Sequence, residues 1–204
     1  TTAGDGADEQ QVADWAIAGF APRLEPTTIY GDGGVGKSML TLALAVGVKA
    51  GVEIVPGFSP AIQGNVLYLD WEASRKRIDT RIKRICAGAG IQPVVIGYRR
   101  CSVPMIEQVE EVLRYCQSEG VVLVVVDSVE MAMNGTGGES GDPNEKVIRL
   151  HSALRLLGVT SILIDHISAA GRSQSNGAGK PIGGVYKTNL ARMAFELRKG
   201  EIPA

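Results

Sequence analysis

Eight consecutive residues, Gly31-Asp32-Gly33-Gly34-Val35-Gly36-Lys37-Ser38, constrain this chain more than any other stretch, because they fit the pattern G-x-x-x-x-G-K-[ST]. Glycines let successive backbone N–H groups turn toward one point, and a helix opening at Gly36 aims its positive end at that point. Such a concavity takes phosphate oxygens. The Lys37 ammonium can reach the outer phosphates, and the Ser38 hydroxyl can ligate Mg2+. Met39 completes the expected set of nucleotide contacts that begins at Gly31. The context agrees with this reading. Residues 27–30 read as a strand running into the glycines, and Leu40, Leu42, Ala43, Leu44, Val46 and Val48 make 36–50 an apolar helix suited to a sheet.

Acids end the neighbouring strands. Residues 121–126 (VVLVVV) are apolar and β-branched without alternation, the mark of a strand covered on both faces, and Asp127-Ser128 follows. An acid at the carboxyl end of a buried parallel strand stands where open α/β sheets bind ligands, and Asp127 looks like one that holds Mg2+ through water, unless it merely caps the following turn. A second buried strand, 65–70 (NVLYLD), leads into Trp71-Glu72. Hydrolysis needs a carboxylate within hydrogen-bond reach of the attacking water. Alternation puts Asp70 and Glu72 on one strand face with Glu72 further out, which favours Glu72 and leaves Asp70 as the rival. A third strand, 159–165, ends in Asp165-His166. Its histidine can hydrogen-bond a γ-phosphate and report on it to the following loop, or it is a satisfied structural histidine.

The segments between these strands have crossover length. Residues 12–20 read as a short amphipathic helix. Residues 74–89 read as a charged helix capped by Ser74, with cations at 75, 76, 77, 81, 83 and 84. A short strand is expected at 94–98, a helix from Pro104 to about 118, and a glycine-rich loop over 130–142. A helix at 143–157, a polar loop at 167–181 and a strand at 191–197 complete the chain. Alternating strands and helices dictate an α/β fold, a mainly parallel twisted sheet with helices on both faces. Residues 1–23 are taken as a lead-in and 24–204 as the core. Both ends look cut, so a piece of a longer protein is expected.

Composition removes several alternatives. With 204 residues, 45% of them hydrophobic, and a net charge of -1, the chain is a globular domain with no overall attraction for polyanions. Nucleic-acid contact would need a local basic patch. Cys86, Cys101 and Cys116 lie far apart with no C-x-x-C pair, which fits buried thiols in a reducing cytoplasm and neither zinc nor disulfides. No apolar run is long enough for a membrane span, and no membrane partner is expected.

Together these parts resemble the RecA/DnaB class of P-loop ATPases, most closely hexameric replicative helicases of the plasmid RepA type, over roughly residues 24–198. The resemblance rests on the loop at 31–38, the LYLDWE, VVLVVVDS and LIDH strands, and Gly183-Gly184 followed by Asn189-Leu190-Ala191-Arg192. It implies a RecA-like P-loop NTPase fold, ATP and Mg2+ as ligands, a prokaryotic, plasmid or phage-type cytoplasmic protein, and self-assembly as a ring or filament, a hexamer above all. By the same resemblance Asp127 matches the Walker B aspartate, Glu72 the catalytic glutamate and His166 the sensor. Arg192 matches an arginine finger acting in the neighbouring subunit's site, a contribution on the order of 10³–10⁵ in rate. Lys187 is the other candidate, and an ordinary surface arginine is the rival reading for Arg192. The sensor strand departs from the family's usual double histidine, and Gly183-Gly184 from its common Gly-Ser. The loop is also similar to that of the MinD/ParA ATPases, but Asp32 stands where their lysine would reach a partner's nucleotide.

In ring and filament ATPases of this class, the loops after the Walker B and sensor strands face the channel. Here the second carries Arg172, Gln174 and Lys180 among small polar residues and could track a single strand by charge. The expected function is ATP hydrolysis coupled to DNA translocation or unwinding, or to single-strand recombination, with single-stranded DNA as partner. Two alternatives stay open: a KaiC-like signalling ATPase acting on a protein, and a P-loop small-molecule kinase.

Overall fold

The computed structural model describes residues 14–137, 141–167 and 190–200. Six strands form one sheet in the order β5-β4-β6-β7-β3-β8, every neighbouring pair parallel. They are β3 (Pro26–Gly31), β4 (Asn65–Asp70), β5 (Gly97–Arg100), β6 (Val121–Asp127), β7 (Thr160–His166) and β8 (Met193–Leu197). Parallel strands need crossovers, which α1 (Lys37–Ala50), α2 (Arg75–Gly88), α3 (Met105–Glu119) and α5 (Pro143–Leu157) supply, with the short α4 (Val129–Asn134) before α5.

Alternation along the strands builds a core on each face. Leu123 and Val125 of β6, with Val66 and Tyr68 of β4, pack beneath α1 and α2 through Leu42, Val46, Ile78 and Ile82. Val124 and Val126, with Leu67 and Leu69, meet α3, α4 and α5 through Met105, Val112, Ala132 and Leu150. Each wholly buried aliphatic side chain contributes about 1.5–3 kcal/mol. Both faces being covered explains why the strands read as unbroken apolar runs. After β3 the chain passes over β7 and β6 to reach β4, so the sheet's topological switch lies where β3, β7 and β6 end.

Four expectations from the sequence are corrected. In place of a helix over 12–20, the described part of that segment is a hairpin, β1 (Trp15–Ile17) with β2 (Ala21–Pro22). Gly19 turns it at φ 67°, and Ile17 and Phe20 enter the core. The backbone at 59–61 pairs along β1, with Ser59 accepting from Ala18 N–H and Ala61 donating to Ala16, and these tertiary partners override a weak helical period. Residues 129–134 form α4 rather than loop, because the glycines begin only at 135. The edge strand β5 lies at 97–100, not 94–98, leaving Val95 exposed. Ser74 occupies the N-cap of α2 without a capping side-chain bond. The cysteines are buried and unpaired, and burial pushes the Cys101 and Cys116 thiols up to about 11. Among the described residues no helix is long and apolar enough to cross a membrane.

Candidate active site

The glycine loop leaves β3 at Gly31 and enters α1 at Lys37. A side chain at Gly31 would meet the backbone carbonyl of Leu197 at 2.3 Å, so β8 packs against the loop only because that position is bare. Gly34 (φ 79°) and Gly36 (φ 102°) adopt left-handed backbone that glycine alone takes at little cost. Chain neighbours aside, no atom of the described residues lies within 4 Å of a Cβ built at Gly33, Gly34 or Gly36. Gly36 caps α1 without a side-chain bond, and the first turn carries no acid. Its N–H groups therefore keep their capacity for an anion, and the loop fits a phosphate chain. Asp32 is exposed and lends its carbonyl to Lys37, Val35 is half-buried, and Met39 is exposed on the first turn of α1.

Lys37 is 4% exposed. Its ammonium donates to the Gly31 carbonyl (2.8 Å) and the Asp32 carbonyl (2.8 Å), and it lies 3.3 Å from His166 Nδ1. Burial lowers its pKa, and Asp127, Asp165 and Glu72 oppose that shift. An ammonium has three protons and no lone pair, so His166 Nδ1 is the acceptor and the remaining ring proton sits on Nε2. That nitrogen faces Glu72 Oε1 at 3.6 Å. The His166 contact, ahead of the Ser128 hydroxyl, which donates to Oε1, holds the Glu72 carboxyl below its usual range although burial pushes the other way. Gly31 and His166 are register partners on β3 and β7, and Ile167 N–H also donates to the Gly31 carbonyl at 3.2 Å. The exit of β7 is thereby tied to the loop.

Asp70 and Asp127 are register partners at the tips of β4 and β6, both buried. They differ in what they can do. Asp70 Oδ1 accepts from Glu72 N–H (2.9 Å) and Ala73 N–H (2.7 Å), while Oδ2 accepts from the Tyr98 hydroxyl (2.9 Å). Three accepted bonds and the Arg100 guanidinium 3.7 Å from Oδ1 engage it in shaping the bend, so it acts as a strut. Glu72 lies in that bend beyond the strand, not on the strand face the alternation suggested. Asp127 Oδ2 accepts from the buried Tyr68 hydroxyl at 2.6 Å. Burial raises the Asp127 pKa, and the Tyr68 and Ser38 hydroxyls pull it back.

A carboxylate beside a serine hydroxyl is a hard-oxygen pair suited to Mg2+. Among the described residues no group of three or more His, Cys, Asp or Glu could hold a metal alone.

Arg192 is exposed, and its N–H donates to the Pro26 carbonyl at 2.9 Å, just before β8. The β3–β8 register runs from Thr27↔Met193 to Gly31↔Leu197. Arg192 therefore sits at the amino end of the sheet, roughly 17 Å along β3 from its own loop at about 3.3 Å per residue. Arg172, Gln174, Lys180, Gly183, Gly184, Lys187 and Asn189 lie outside the described residues, as do 138–140 of the first channel loop. Sequence reasoning missed Tyr68, Tyr98, Ser128 and the strut role of Asp70. A tyrosine inside a buried run was the available signal, since its hydroxyl must find a partner there.

One known family, described as an AAA domain, has a model that matches residues 1–172. No curated protein matches the chain.

Proposed function

This chain belongs to the AAA domain family and is a P-loop ATPase domain of that kind, and from that premise we propose that it couples ATP hydrolysis to movement along single-stranded DNA, as a RepA/DnaB-like helicase domain. The observation that carries the hydrolytic part is the contact chain Lys37–His166–Glu72 across the tips of β3, β7 and β4, beside Asp127 on β6. The DNA part is supported by the likeness of the LYLDWE, VVLVVVDS and LIDH segments to replicative helicases. Assembly is supported by the position of Arg192, exposed at the amino end of the sheet and away from the glycine loop of its own chain.

The loop N–H groups and the α1 N-terminus seat the phosphates. Lys37 exchanges its carbonyl and imidazole acceptors for phosphate oxygens. Ser38 and Asp127 would hold Mg2+, which when bound neutralises charge on those oxygens. Glu72 is kept ionised by its neighbours and can accept the proton of the attacking water. His166, relieved of Lys37, is positioned to register the terminal phosphate and pass its presence to residue 167 onward. Arg192 of an adjacent subunit supplies a cation against the developing charge.

The test is ATP turnover with and without single-stranded DNA, with mass in solution measured in ATP. Stimulation severalfold together with an oligomeric mass is expected. Turnover that ignores DNA would reassign the site to a protein partner.

A further inference from the structure

The exposed face of α2 carries a strongly one-sided charge. Six of its fourteen residues are cations, with Asp79 the single acid, in a protein whose net charge is -1. Asp79 is taken by Arg75, whose guanidinium also lies over the Tyr98 ring. Among the described residues Lys76, Arg77, Arg81, Lys83 and Arg84 have no acidic partner, whereas Arg23, Arg99 and Arg149 each have one. Arg77 and Arg81 are four apart and Arg81 and Arg84 three apart, spacings at which like charges weaken a helix. Neutralisation from outside would relieve that repulsion.

Ser74, Lys76, Arg77, Thr80, Arg81 and Arg84 line one open groove of about 410 Å³ along this face. No aliphatic or aromatic residue is among those that line it, and its apolar surface comes from the stems of these long side chains. A protein partner's interface would centre on aromatic or aliphatic side chains, and none is offered here. Three guanidinium groups, an ammonium and two hydroxyls suit phosphate oxygens, which Arg binds in a bidentate manner. Absence of a stacking ring from the groove lining means contact by charge alone, without reading bases.

We propose that this face of α2 binds the phosphate backbone of nucleic acid and relays occupancy to Glu72, an inference that rests on the DNA-coupled reading of the site. The relay is short. Ser74 begins the groove two residues after Glu72, in a bend fixed from both sides. Asp70 accepts from the N–H groups of Glu72 and Ala73, and Arg100 donates to the Ala73 carbonyl at 2.7 Å. A strand drawn onto α2 therefore loads the bend that aims the carboxylate.

The test replaces the exposed Lys76, Arg77 and Arg84 by Gln, which keeps helix propensity. Binding of a fluorescent oligothymidylate is measured from 0.05 to 0.3 M salt, with ATP turnover and sedimentation alongside. Affinity should fall at least about tenfold at 0.1 M. The slope of log K against log salt should shrink by about 2, three contacts at about 0.7 each for a single strand. DNA stimulation of turnover should be lost while turnover without DNA persists. Each single substitution should shrink the slope by about 0.7, which guards against a misfolded triple variant. If the wild type binds DNA and the triple variant matches it in affinity and slope, the α2 assignment falls and the proposed function stands. If the variant loses its oligomer but not its DNA, the face is a subunit contact and the proposal is overturned. If the wild type neither binds DNA nor responds to it, both readings fall together.

Discussion

Tyr68→Phe isolates one hydrogen bond without changing side-chain shape. Tyr68 is wholly buried on β4, and its hydroxyl donates to Asp127 Oδ2 at 2.6 Å. Hydrogen bonds to charged groups contribute about 1.5–3 kcal/mol, and a buried acceptor left alone loses that full amount. The variant should therefore unfold with about 2 kcal/mol less free energy at pH 8. The pH dependence has a definite sign. Burial raises the folded-state pKa of Asp127 above its unfolded value, so the folded chain holds the extra proton. Stability from this group consequently falls as pH rises from the unfolded value toward the folded one. Removing the Tyr68 hydroxyl raises the folded value further, so the deficit should be largest at pH 8 and shrink toward pH 5. Urea unfolding at both pH values, without nucleotide or Mg2+, reads it directly. A deficit under about 0.5 kcal/mol at pH 8, or one that grows in acid, would refute the reasoning.

Arg192→Ala protein mixed with Glu72→Gln protein should recover turnover that neither has alone, because mixed interfaces can pair an intact arginine with an intact carboxylate; no recovery at any ratio counts against action in trans. His151 on α5 is buried, has no partner for Nδ1 among the described residues, and is pushed down to about 4 by burial. Below its unfolded value only the unfolded chain takes that proton, so between pH 7.5 and pH 5 the wild type should lose about 2 kcal/mol that His151→Leu keeps. Parallel pH dependences in urea unfolding would contradict this.

The main strands and their order of burial were legible because both sheet faces are covered, which writes VVLVVVD and NVLYLD as apolar runs. The loop was legible because phosphate binding by backbone demands glycine at Gly34 and Gly36. The preference for position 72 rested on an alternation argument that needs a strand, and the strand stops at Asp70. What favours Glu72 over Asp70 is the use of Asp70 as acceptor for Tyr98 and two N–H groups, which no spacing rule encodes. The hairpin at Trp15–Pro22 escaped because β1 also pairs with the residues at 59–61, more than forty positions away. The hydroxyl of Tyr68 escaped for the same reason, its partner being Asp127.

Glu72→Gln tests the hydrolytic account most directly, through ATP affinity and single-turnover hydrolysis measured on the same preparation. Gln keeps the size of the side chain and can still accept from Ser128, but it cannot take a proton from water. ATP affinity within about threefold of wild type and hydrolysis slowed by at least about 10² are expected. Hydrolysis at the wild-type rate, or loss of ATP binding, would contradict the assignment of Glu72 as the base.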